Sequence, residues 1–138
     1  MDQRVSFITL VVTDLEATRK FYVDGLGWEP VIDVAGEVLM FAVAEKVVLS
    51  LWVESGFVEE IGHAPTRGGT PPITLSHNVA TPRGVDTVLE QAAAAGAAEV
   101  GRATEREWGG YSGYFADPDG FRWEIAWNPG PIGQVVLP

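Results

Sequence analysis

The strongest constraint on this chain is internal repetition: one order of strand-like and helix-like segments occurs twice. In the first copy, residues 5–12 (V-S-F-I-T-L-V-V) are β-branched and apolar, a strand signal. Thr13 or Asp14 can cap a helix running to about Asp24, with Leu15, Thr18, Phe21 and Tyr22 at helical spacing. Gly25 and Gly27 end it, and Pro30 keeps the next segment extended. Strand-like segments follow at 29–34, 37–43 and 46–53. In the second copy, 73–79 reads as a strand, Thr81 caps a helix that starts at Pro82, and Val85, Val88, Leu89 and Ala92 form its apolar stripe up to Gly96. Strands are then expected at 98–102, 111–116 and 121–127, the last two joined by the turn sequence Asp117-Pro118-Asp119-Gly120. Val12 matches Val79 at an offset of 67 residues, and Gly27 matches Gly96 at 69. That period is too long for a solenoid and suits a duplicated module. The expected fold class is α+β, two tandem βαβββ modules. Module one spans about 1–54, a Gly/Pro/Thr-rich linker 55–72, module two 73–130 and a tail 131–138, together one domain of 138 residues.

Charge and composition narrow the chemistry. Nine Lys+Arg against 19 Asp+Glu leave a net charge of −10, a field that repels nucleic acid and anionic membranes. Zero Cys removes disulfides, zinc–thiolate sites and cysteine nucleophiles, and two His leave little for a His-rich metal site. The start Met-Asp-Gln-Arg-Val lacks the pattern of a signal peptide and no run of 18 apolar residues occurs, so a cytoplasmic location is expected.

Two pieces of sequence carry a family resemblance. Val12-Thr13-Asp14-Leu15 with Phe21-Tyr22 and Leu26-Gly27-Trp28 resembles V-x-D-L…F-Y…L-G-W. Tyr114-Phe115-Ala116-Asp117-Pro118-Asp119-Gly120 with Trp123-Glu124 resembles F-x-D-P-D-G…W-E. Both are similar to signatures of the vicinal oxygen chelate superfamily, the glyoxalase/bleomycin resistance protein/dioxygenase group, over nearly the whole chain. The resemblance implies a curved sheet from each module around a cavity, and a dimer. In metal-dependent members it implies four ligands, one on the first and one on the last strand of each module, usually His or Glu. Here those positions carry Phe7, Thr74, a residue near Leu49 and Glu124. One carboxylate alone holds a divalent cation poorly, so no metal and no cofactor are expected.

Strand alternation sorts the remaining candidates. Phe7 and Thr9, with Thr74, Ser76 and Asn78, would line the cavity floor. His77 then points away, beneath the helix, unless the strand is shifted; His63 is either a solvated linker residue or a lid contact. Glu124 has three open readings: a relict ligand neutralised by Arg122 or a hydroxyl, an anchor for a polar or cationic ligand, or a general acid/base. Trp108, Tyr111 and Tyr114, in or beside the Gly109-Gly110-x-x-Gly113 stretch, are candidate stacking contacts to a planar ligand, whereas Trp28, Trp123 and Trp127 read as packing. That glycine stretch lacks the Lys-Ser/Thr of a phosphate loop, and no Ser-His-Asp arrangement can be assembled. The expected function is binding or sequestering a hydrophobic or cationic organic molecule. The alternative is a glyoxalase/dioxygenase-like lyase, isomerase or oxygenase using Glu124 with a metal or as a base.

Overall fold

The computed structural model describes residues 1–137. The chain divides into two compact units, Met1–Arg67 and Gly68–Pro138, each with its own sheet.

The first unit runs β1 (Phe7–Val12), α1 (Leu15–Arg19), β2 (Ile32–Val34), β3 (Val38–Ala44), β4 (Val47–Val53) and α2 (Glu54–Ile61). Its strand order is β1-β4-β3-β2, with β1 parallel to β4 and the other pairs antiparallel. This is the expected βαβββ order. The Asp14 carboxylate caps α1, accepting the N–H groups of Glu16 and Ala17 at 3.0 Å each. The helix does not continue as an α-helix to Asp24. Residues Lys20–Gly25 form a π turn, in which the consecutive rings of Phe21 and Tyr22 are both buried. These rings, Trp28 and Phe41 form an aromatic cluster with centroids 5.1–5.8 Å apart. Leu10, Val12, Leu39, Leu49 and Leu51 are buried on the helix-covered face of the sheet.

The second unit runs β5 (Thr74–Asn78), α3 (Pro82–Ala95), β6 (Glu99–Val100), β7 (Thr104–Glu105), β8 (Tyr111–Ala116), β9 (Arg122–Trp127) and α4 (Pro131–Val135). Its order is β5-β9-β8-β6, with β7 also paired to β8 and β5 parallel to β9. Thr81 caps α3 by accepting the Gly84 N–H at 3.1 Å, and Gly96 ends it at φ +91°. Val85, Leu89 and Ala92 are buried, as their spacing predicts. Beneath them Gly113 permits close approach, because a Cβ there would lie 2.6 Å from Leu89 Cδ1. Phe115 and Trp123 stack on the same side, with an interplanar angle of 9°.

Three segments depart from expectation. The linker expected from residue 55 starts with α2, which packs on β4 and β1. The strand expected at 98–102 is present only as the two-residue β6, and a second short strand, β7, follows it. The tail expected at 131–138 carries α4, and residue 138 lies outside the described residues. Among the described residues no helix is long and apolar enough to cross a membrane.

Candidate functional site

In the second unit, parallel pairing of β5 with β9 sets Ser76 opposite Glu124, and antiparallel pairing of β8 with β9 sets Tyr114 opposite the same residue. Side chains directly opposite on neighbouring strands share a face, so Ser76, Glu124 and Tyr114 form one row across three strands. The row is closed by hydrogen bonds. The Tyr114 hydroxyl donates to Glu124 Oε1 at 2.7 Å, and the Ser76 hydroxyl donates to Oε2 at 3.3 Å. The Tyr114–Glu124 bond, followed by partial burial and the carboxylate's charge, raises the Tyr114 phenol above its ordinary value of 10, with Arg106 pulling the other way.

Arg106 and Ser112 extend the site and were not singled out from sequence. Arg106 donates through Nε to Ser112 Oγ at 2.9 Å and through Nη2 to the Ser112 carbonyl at 3.0 Å. Its guanidinium lies 5.7 Å from the Tyr114 ring centroid, within cation–π range. Ser112 shares the face of Tyr114 by period-two alternation, a signal that sequence does carry. Arg106 precedes β8 in a loop, where no periodicity reaches.

The other candidates are distributed as follows. Thr74 and Asn78 occupy the face of Ser76, two residues to either side on β5. Phe7 and Thr9 share a face of β1, opposite Val48 and Ser50 of β4. Arg122 lies on the face of Glu124 but does not neutralise it; it reaches across Ala116 to Glu99, with Nη2 2.7 Å from Oε2. Tyr111 is three residues from Tyr114 and therefore on the opposite face, where its hydroxyl donates to Asp86 of α3 at 2.9 Å. There it lines a cavity of about 530 Å³ with Leu89, Glu90 and Arg102, remote in orientation from the carboxylate row. Its phenol is also raised, chiefly by that bond to Asp86. Trp108 is 52% exposed, with its ring laid over Gly110. His77 is exposed on edge strand β5 rather than buried beneath the helix, and His63 is exposed beyond α2.

Strand register also corrects the family metal scheme. Leu49 lies on the helix-covered face and is 1% exposed. The equivalent of Glu124 is Ser50, which sits opposite Thr9 as Glu124 sits opposite Ser76. The four positions therefore hold Phe7, Ser50, Thr74 and Glu124. One carboxylate, two hydroxyls and a phenyl ring do not fit a divalent cation that needs several fixed anionic or imidazole ligands. Among the described residues, no three His, Cys, Asp or Glu side chains cluster as a metal group.

The comparisons with known proteins agree with the fold. The Glyoxalase/Bleomycin resistance protein/Dioxygenase superfamily matches residues 4–125. A glyoxalase-related enzyme from Fulvimarina pelagi is similar at 38% identity, covering 92% of this chain and 89% of its own, with a TM-score of 0.82. A glyoxalase/bleomycin resistance protein/dioxygenase from Nocardioides is 26% identical, covering 94% and 89%, with a TM-score of 0.73. A lactoylglutathione lyase from Agrobacterium tumefaciens, 22% identical over 93% and 96%, shares the fold with a TM-score of 0.69. No curated protein matches the chain. The repeated βαβββ units, the two sequence signatures and the match to residues 4–125 make this chain a member of the glyoxalase/bleomycin resistance protein/dioxygenase superfamily.

Proposed function

We propose that the Ser76–Glu124–Tyr114 row binds a small organic molecule through hydrogen-bond donors on that molecule, foremost a cationic head group. The observation that carries this reading is the direction of the two hydrogen bonds. The Ser76 and Tyr114 protons are both spent on the Glu124 carboxylate. What the row still offers is lone pairs, on the carboxylate and on both hydroxyl oxygens. A ligand that brings N–H or O–H donors satisfies them; a carboxylate ligand repels them. The net charge of −10 favours approach of a cation. Exposed Trp108 supplies an aromatic surface for a planar body, and pairing of two chains, common in the family, is part of the same reading.

The test is calorimetric titration of aromatic amidines and quaternary ammonium compounds, with matched aromatic carboxylates, into the wild-type chain and Glu124→Gln. The cations are expected to bind the wild type and to lose most of their affinity in the variant. Equal binding of carboxylates, or an unchanged variant, refutes the proposal.

A second reading is favoured by the 38% identity to a protein described as a glyoxalase-related enzyme. In it, Glu124 takes a proton from the bound molecule. Glu124→Gln would then abolish turnover of a substrate that the wild type converts.

A further inference from the structure

Of the four positions at which metal-dependent members of the family carry ligands, this chain keeps a charged ligand type only at Glu124. That carboxylate is not left to solvent. Its two oxygens are each met by a hydroxyl proton, one from the strand on either side. We infer that the Ser76 and Tyr114 hydroxyls do at Glu124 what a divalent cation does at the family's metal position: they compensate and orient the carboxylate, and make it a metal-independent anchor.

The physical grounds are donor chemistry and register. Hydroxyl–carboxylate hydrogen bonds are charge-assisted and short, and the 2.7 Å bond from Tyr114 is of that kind. A cation at Glu124 would share the carboxylate with both hydroxyl donors and otherwise depend on water. The two donors also stand on either side of the carboxylate, within reach of anything it holds. Residues directly opposite on adjacent strands have Cβ atoms about 4.5–5.5 Å apart, so side chains at 76 and 114 flank the carboxylate on both sides. The inference concerns the same carboxylate as the proposed ligand anchor but holds whether or not an organic molecule binds there.

The test converts the row. Chelator-stripped wild type, Glu124→Gln and Ser76→His/Tyr114→His are titrated with Zn²⁺ and with Ni²⁺ by calorimetry, folding being checked by circular dichroism. Two imidazoles flanking one carboxylate form a three-ligand set, so the double variant is expected to bind one equivalent roughly 100-fold tighter than wild type. Wild type and Glu124→Gln are expected to share the same weak background. Should the double variant not fold, Tyr114→His alone carries the test, with a gain of roughly 10-fold expected. One equivalent bound by wild type at low micromolar concentration, and lost in Glu124→Gln, overturns the inference. So does a folded histidine variant that gains nothing, because side chains at 76 and 114 would then not flank the carboxylate closely enough to compensate it.

Discussion

The bond between Tyr114 and Glu124 can be measured directly by a double-mutant cycle of Tyr114→Phe and Glu124→Met. The phenol donates to the carboxylate at 2.7 Å, and both side chains are half-buried. A fully desolvated hydrogen bond to a charged group is worth about 1.5–3 kcal/mol, whereas exposed charged pairs fall to about 0.2–1 kcal/mol. Half-burial puts the coupling between these limits, at about 1 kcal/mol. With a urea slope of about 1–3 kcal/mol/M, the coupling corresponds to a non-additivity of roughly 0.5 M in midpoint, which is well resolved. The pH dependence follows from the same contact. The folded chain holds the Tyr114 proton above the ordinary value of 10, chiefly through this bond. Its stabilisation is therefore fully present below pH 10 and is lost as pH rises through the elevated folded value. Urea unfolding of the four proteins at neutral pH, followed by tryptophan fluorescence, gives the coupling. Additive effects within about 0.3 kcal/mol would refute the claim that the row is held by this bond.

Other substitutions test the packing that positions the row. Gly113→Ala places a methyl group 2.6 Å from Leu89 Cδ1 and 3.0 Å from the Ala103 backbone; it should destabilise by about 1–3 kcal/mol, and an unchanged melting temperature would contradict that close approach. Asp117→Ala strips an acceptor from the N–H groups of Asp119 and Phe121 at a position 1% exposed, so calorimetry should show a loss of about 2 kcal/mol or more. Leu49→Asn, at a position 1% exposed in the apolar face under α1, should cost about 3 kcal/mol or more in denaturant unfolding, and an unchanged midpoint would contradict that burial.

Much of the fold was legible because two kinds of local signal agreed. Helix α3 has a cap at Thr81, Pro82 at its first position, an apolar stripe at Val85, Leu89 and Ala92, and Gly96 in the left-handed region at its end. Each of these is a property of a few neighbouring residues, and all point to the same boundaries. Where signals were weaker, tertiary packing decided. Residues 54–61 contain Gly56 and no side-chain cap, yet they form α2, and Gly56 sits where a Cβ would meet the Trp52 indole nitrogen at 2.6 Å. A Gly in the first turn of a short, uncapped segment reads locally as a breaker; here it is the space that Trp52 occupies. The pairing of Phe21 and Tyr22 is similar, since no α-helical spacing buries two consecutive rings on one face and the π turn was invisible to that period.

The site was legible only in part, because chemical equivalence in a sheet belongs to strand pairs and not to counting along the chain. The first strands of the two units correspond at an offset of 67, Thr9 to Ser76. The last strands correspond at 74, Ser50 to Glu124 and Met40 to Tyr114. Carrying the offset of 67 over to Glu124 lands on Phe57, outside β4, so counting alone places the position only near Leu49, and a slip of one residue turns a side chain to the other face. The extra length explains more than the slip. Most of it falls between Gly96 and β8, in the segment that carries β7, Arg106 and Trp108. In the first unit, Met40 occupies the place of Tyr114. In the second, the longer segment sets a guanidinium on Ser112 and over the Tyr114 ring. The duplicated scaffold thus supplies the strand positions of the row. The insertion adds a fixed charge beside one copy only, and that asymmetry sets the second sheet apart from the first.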